Sequence, residues 1–373
     1  MKKKILIINS DPFHNGPRMI KEIEALKSDY EIVALGRTKP HDPNIKYINI
    51  DRIYGFSRLI AKLYYIFFKK YYTGKLLFFE LGLHQIINKL KPDLIINHNP
   101  IFFPAIFSFK KFAIKVVYNA HEYHPLQFED EIWLKTAGKH YEELYRKFLP
   151  KVDLLINVCD SIAKKCEVEF GISSLVIPNA APYHSTIAPN LVNSGQVIKI
   201  IHHGAAFSSR KIEKMIEAVG GMTNYELDLM LIPNDLNYYL MLKKLIRKYS
   251  NIRMIPTVPY NQIISFISSY DIGLFILSPS SFNSKFALPN KLFEFIQARL
   301  AIIVSPNDEM ADLVRKFQIG EVTSGYEMKD LTIAFNQLTI EKINIYKKNS
   351  NLVACQLSAE VYYDKMKQAI TNL

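Results

Sequence analysis

Two stretches of this sequence hold cations and a carboxylate at spacings that suit a charged ligand. In "LPNKLFEF", Leu288 to Phe295, Pro289 and Asn290 open a helix on which Lys291 and Glu294 stand three apart and so share a face. Lys291 can meet a phosphate there while Glu294 accepts hydrogen bonds from sugar hydroxyls. The plain alternative is an ion pair on a solvated helix, worth only about a few tenths of a kcal/mol. The apolar Leu292, Phe293, Phe295 and Ile296 between them, and the strand-like "LAIIVS" that follows, favour a buried helix. In "IIHHGAAFSSRKIEKMIEA" an apolar run ends at His203, Gly204 permits a close turn, and Arg210 and Lys211 arrive where a helix begins. A helix start with open amides and adjacent cations attracts anions, diphosphate above all. A simple turn followed by solvated charges has the same spelling.

A third stretch, "VVYNAHEYHP", sets His121, Glu122 and His124 directly after an apolar run. A zinc-binding H-E-x-x-H helix needs its imidazoles four apart on one face; here they are three apart and Pro125 follows at once, so no metal is expected. His121 is then either a histidine satisfied in the core or one that meets a ligand.

These residues need a scaffold, and the bulk properties bound it. A chain of 373 residues with 49% hydrophobic content suggests two domains. Its 47 Lys and Arg against 35 Asp and Glu leave a net charge of +12, which favours an anionic partner. Three cysteines, Cys159, Cys166 and Cys355, suit neither a disulfide framework nor a Cys-rich zinc site, so a cytoplasmic location is expected. The first apolar stretch stops at Ile8, too short for a secretory signal, and reads as a buried strand. No apolar run approaches the ~18 residues of a membrane-spanning helix, so the protein is expected to be soluble or peripheral.

Short runs rich in Ile and Val, "KILIIN", "YEIVAL", "IKYINI", "DLIINH", "IKVVYNA" and "DLLINVC", are mostly separated by helix-length text, the cadence of a parallel sheet. Proline, serine and asparagine then dominate from Ala180 to Gln196, after which "VIKIIHHG", "LDLMLI", "IRMIP", "DIGLFIL" and "AIIVS" restart the pattern. The expectation is an α/β protein with domains over 1–180 and 181–350, and an amphipathic helix over about 351–373 that packs back on the first. Ligands of open parallel sheets bind beyond the carboxyl ends of the strands, which two such domains offer in the cleft between them. The region "IYGFSRLIAKLYYIFFKKYYTGKLLFFELGLHQ" is basic and aromatic with helical spacing; about 53–80 suits either core packing or an anionic membrane interface. Nothing else resembles a nucleic-acid module, and no nucleic acid partner is expected.

The ordered series "NAHE" (Asn119 to Glu122), "VIPNA", "HHG" with Arg210, and "LPNKLFEF" resembles glycosyltransferase family four over nearly the whole chain. The resemblance implies the GT-B fold of two facing Rossmann-like domains and a nucleotide-sugar donor held by the second. Arg210 then meets the diphosphate, Lys291 approaches the phosphates with Gly204, Lys211 and Asn290 nearby, and Glu294 binds the ribose. His121 and Asn119 fall near sugar and acceptor, with Glu122 fixing the imidazole or the local backbone. "HNGPRMIKEIEAL" resembles the first loop and helix of the family, which makes Gly16 and Arg18 candidates on the phosphate or acceptor side. Two positions depart from the commoner pattern: Phe286 replaces a glutamate eight residues before Glu294, and Ala205 replaces an arginine after the loop glycine. The implied activity is transfer, with retention, from a nucleotide diphosphate sugar to a glycan or lipid-linked glycan in bacterial surface polysaccharide synthesis, with no cofactor or metal. A nucleotide-sugar 2-epimerase and a non-catalytic sugar-nucleotide or glycolipid binding subunit are the alternatives.

Overall fold

A computed structural model describes residues 2–10, 13, 16–51, 82–108 and 114–373. The basic aromatic segment at 53–80 lies outside these residues. The chain divides into two compact units, Met1–Ile177 with Tyr363–Leu373, and Pro178–Tyr362.

The first unit is built on a parallel sheet of seven strands in the order β3-β2-β1-β4-β5-β6-β7. They are β1 Lys4–Ile8, β2 Glu31–Gly36, β3 Lys46–Asn49, β4 Leu94–Asn97, β5 Lys115–Asn119, β6 Leu154–Asn157 and β7 Leu175–Val176. The first six are the Ile- and Val-rich runs of the sequence. Ile5 to Ile8 are fully buried, as a strand covered on both faces requires. Between β1 and β4 the order reverses direction, and at such a switch point loops part and leave room for a ligand beyond the strand ends. The helix Pro17–Leu26, which follows β1, carries buried Arg18 and Glu22 one turn apart.

The second unit repeats the plan with six parallel strands in the order β10-β9-β8-β11-β12-β13 and its switch point between β8 and β11. These are β8 Ile198–Ala205, β9 Tyr225–Ile232, β10 Ile252–Met254, β11 Ile272–Phe275, β12 Ala301–Val304 and β13 Gly320–Val322. Apolar clusters cover both faces of this sheet. The helix Asn290–Gln297 lies against β11, and Gly273 makes the approach possible: a Cβ there would stand 2.3 Å from the Phe295 ring. Phe293 and Phe295 are fully buried, each contributing roughly 2 kcal/mol of apolar burial. That packing fixes the helix face bearing Lys291 and Glu294.

The tail differs from the single helix expected over 351–373. It forms two helices, Ile340–Val353 and Ala359–Thr371, with a turn between them at 354–358. Ala354 and Leu357 in that turn are buried in the core of the second unit. From Tyr363 onward the chain belongs to the first unit, where Lys367 pairs with Asp29 at 2.6 Å. Among the described residues no helix is long and apolar enough to cross a membrane.

Candidate active site

In the second unit the site grows from the carboxyl end of β8. Gly204 sits at φ +124°, a conformation that L side chains rarely adopt. A Cβ at this position would lie 2.9 Å from Lys291 Nζ and 3.3 Å from Arg210 Nη1. Two cations from separate elements therefore converge on one bare backbone position. Arg210 Nη1 donates to the carbonyl of Ala205 at 2.9 Å, which aims the guanidinium back at the strand end.

Lys291 is only 7% exposed and its Nζ has no hydrogen-bond partner among the described residues. The ammonium lies 4.2 Å from the centre of the Phe275 ring, a cation–π contact that offsets only part of the lost hydration. Burial, reinforced by Arg210, holds its pKa well below the ordinary lysine value, while Glu294 opposes that shift. A solvated ion pair between Lys291 and Glu294, the plain reading of their spacing, is thus not what forms. Glu294, 5% exposed, instead has Oε2 3.3 Å from His203 Nε2, in ion-pair range but off the line of a hydrogen bond. Burial and the two cations push the His203 pKa down to about 3, so this imidazole is neutral. His202 Nδ1 donates to the Leu274 carbonyl at 2.9 Å, which leaves Nε2 as a buried acceptor with no partner.

The helix start expected to offer open amides is already capped. The Tyr238 hydroxyl accepts from Ile212 N at 2.6 Å and donates to Glu213 at 2.5 Å. Lys211 precedes this helix as an exposed residue at φ +50°. The anion-seeking features are thus the side chains of Lys291 and Arg210. Asn290, partly buried, is the first residue of the Lys291 helix and its side chain makes no cap there.

In the first unit the polar groups link into a network, in which Glu22 Oε1 and His98 Nε2 have no hydrogen-bond partner among the described residues. Arg18 Nη1 donates to Asn119 Oδ1 and Arg18 Nη2 to the Ile177 carbonyl, both at 3.0 Å. Asn119 Nδ2 donates to Glu22 Oε2 at 3.0 Å. Glu22 Oε2 also lies 3.2 Å from His98 Nε2, and His98 Nδ1 lies 2.8 Å from His121 Nε2. Burial is the main cause that lowers the Arg18 pKa; Tyr363 and Glu22 oppose it. His121 is partly buried as a residue, and burial first, then Arg18, His98 and His124, hold its pKa well below the ordinary histidine value. Gly16 supplies the extended backbone that leads into the Arg18 helix.

His121 and His124 part company, as their three-residue spacing implied. His124 Nδ1 lies 3.2 Å from both the Tyr118 and Tyr145 hydroxyls, and burial pushes its pKa down to about 4. Glu122 accepts from Gln127 Nε2 at 2.8 Å, while the imidazole of His121 is met by His98. Two members of this cluster, Glu22 and His98, were not among the residues singled out from the sequence. The signal for Glu22 was its place four residues after Arg18 on one helix face. For His98 it was its place at the end of "DLIINH", directly after β4.

Residues 18–182 match the family model for Glycosyltransferase Family 4, a match confined largely to the first unit. No curated protein matched the sequence. Among solved structures, the trehalose-6-phosphate protein from E. coli, bound with UDP-2-fluoro glucose, aligns over 100% of this chain and 99% of its own with a TM-score of 0.69 at 12% identity. Sucrose-phosphate synthase from Thermosynechococcus elongatus aligns over the same shares with a TM-score of 0.71 at 12% identity. WaaG, a glycosyltransferase involved in lipopolysaccharide biosynthesis, covers 98% of each chain with a TM-score of 0.69 at 13% identity. Two parallel-sheet units with Rossmann-like strand order, matched over their whole length, define the GT-B fold. Within that fold, residues 18–182 are similar to Glycosyltransferase Family 4.

Proposed function

We propose that this enzyme moves a sugar from a nucleotide diphosphate sugar to a glycan or lipid-linked glycan acceptor in bacterial surface polysaccharide synthesis, with retention of anomeric configuration. The observation that carries this reading is the buried, unpartnered Lys291 ammonium beside Gly204 and Arg210. An ammonium kept out of water without a counter-ion is costly, and a diphosphate in contact with it removes the cost. Glu294 is assigned to the ribose hydroxyls, and His121 with Asn119 to the side of the sugar and acceptor. The setting draws on WaaG, whose structure is similar and which is involved in lipopolysaccharide biosynthesis. The segment at 53–80 is assigned to an anionic cytoplasmic membrane face.

The chemistry follows from charge. As the bond from the anomeric carbon to the diphosphate oxygen breaks, negative charge grows on the leaving group, and Lys291 and Arg210 stabilise it more in the transition state than in the ground state. The acceptor hydroxyl attacks from the face that the diphosphate leaves, and its proton passes to a diphosphate oxygen. We assign the electrophilic work to these two side chains, with no divalent ion.

A thermal-shift screen of UDP, GDP and their sugars tests the reading, since a ligand that binds only the native state raises its melting temperature. The expected result is a rise with one nucleotide diphosphate that persists in EDTA and is lost in Lys291→Met. Release of nucleotide diphosphate should then require a glycan acceptor, with the product keeping the anomeric configuration of the donor. Conversion of the donor alone identifies an epimerase, and no shift with any nucleotide removes the donor assignment.

A further inference from the structure

The first unit contains a chain of buried groups that a simple satisfied histidine does not need. Glu22, fully buried on the helix Pro17–Leu26, sets Oε2 3.2 Å from His98 Nε2. His98, buried beyond the end of β4, sets Nδ1 2.8 Å from Nε2 of His121, which follows β5. The carboxylate is held from its other side: Asn119 Nδ2 donates to the same Oε2, and Asn119 Oδ1 takes a hydrogen bond from Arg18. Arg18 is pinned in turn at the Ile177 carbonyl, and Tyr363 from the C-terminal helix donates to the Arg18 carbonyl at 3.3 Å. His121 is the one residue in the series that is only partly buried.

We propose that Glu22 and His98 are positioning residues that fix the tautomer of His121 for glycosyl transfer. This rests on the function proposed above. A carboxylate oxygen is acceptor-only, so the His98 nitrogen beside it carries the proton. With that proton on Nε2 and a lone pair at Nδ1, His98 is met by an N–H on His121 Nε2. His121 Nδ1 then carries a lone pair toward the open side of the ring, where it accepts a hydrogen bond from a sugar or acceptor hydroxyl. Two rings and one carboxylate thus convert the position of Glu22 into the polarity of the outermost nitrogen. The contact of Glu22 with His98 is bent away from the ring N–H direction. It acts through charge as well as through alignment, in a pocket that excludes water.

The charged and titratable groups around His121 act in the same direction. Burial most of all disfavours a charged His121, and Arg18 from the first helix, His98 just beyond β4 and His124 from the following turn add to it. A neutral ring has one N–H, so the side that donates to His98 determines the side that accepts from the ligand.

Glu22→Gln separates this role from a merely structural one. Made together with Asn119→Asp, which accepts where the asparagine amide donated, it lets the glutamine amide donate to His98 Nε2, which moves the His98 proton to Nδ1 and reverses the polarity of the pair. Protein labelled with ¹⁵N-histidine, with His121 identified by the signal missing from His121→Gln, reports each tautomer directly. The expected result is His121 protonated at Nε2 in the wild type and at Nδ1 in the double variant Glu22→Gln with Asn119→Asp. Turnover should fall about tenfold, the scale of one hydrogen bond, with nucleotide affinity unchanged. Wild-type His121 protonated at Nδ1 overturns the proposal even if the variant fails to fold, and so does an unaltered tautomer in a folded variant. Tautomer reversal in a protein that transfers no sugar supports the relay and overturns the glycosyltransferase reading instead, so the two failures are distinguishable.

Discussion

The two units share a strand order and a switch point, yet their polar sites are opposites. In the first, Arg18, Asn119, Glu22, His98 and His121 join into one network whose members hold each other. In the second, Lys291 Nζ and His202 Nε2 are buried with no partner. A cation tied to its neighbours, as Arg18 is, holds a shape, whereas a buried cation without a hydrogen bond, as Lys291 is, stores a preference for something absent. The first site is therefore built to orient and the second to capture.

The sharpest way to break this comparison is to remove the captured charge. Lys291→Met retains much of the buried stem and deletes the unpartnered ammonium. We expect turnover to fall on the order of 10²- to 10³-fold, as when one electrostatic donor to a transition state is lost. The same change should leave the fold about 1–2 kcal/mol more stable, because a buried charge without a partner is a cost. Denaturant unfolding beside steady-state kinetics checks both; loss of stability together with full activity removes Lys291 from the donor site.

The mirror experiment in the first unit should have the opposite sign. Arg18→Met leaves the Asn119 and Ile177 oxygens without a donor and Glu22 without its nearby cation. A loss of about 3 kcal/mol is expected, the scale of breaking a buried charged network from one side. Urea unfolding measures it. A stability gain here, as at Lys291, would erase the distinction between the two sites.

How much of this was legible in the sequence follows the same division. Lys291 and Glu294 share a face because a helix turns every 3.6 residues, and Gly204 stands out because no other residue suits a sharp strand exit, so local rules found the capturing site. The strands β1–β6 and β8–β12 are contiguous apolar runs and were equally visible. Two short edge strands, β7 and β13, were not, since two or three residues carry no period. The orienting network was mostly hidden because it joins residues 22, 98, 119 and 121, whose contacts exist only once β1, β4 and β5 lie side by side. The capped start of the Ile212 helix was hidden for the same reason: Tyr238 is 26 residues away in sequence. The break in the C-terminal tail was missed because Ala354 and Leu357 are apolar residues of a packed turn that continue a helical spelling.

The smallest effect is also the most specific to the capturing site. Burial holds the Lys291 pKa below its ordinary value, so between the folded and unfolded pKa values the unfolded chain binds more protons. The contribution of Lys291 to stability therefore rises with pH across that window and is least favourable below it, where the buried ammonium must stay charged. A nucleotide diphosphate restores a counter-ion and lifts the pKa, so binding above the folded value draws a fraction of a proton from solution. Calorimetry in buffers of different ionisation heat should find that uptake, and Lys291→Met should abolish it even at nucleotide concentrations high enough to force binding. The cation of the first unit's network, Arg18, already has its partners and offers no comparable charge for the nucleotide to restore. Uptake that survives the substitution would place the titrating group elsewhere and make capture a property of some other residue.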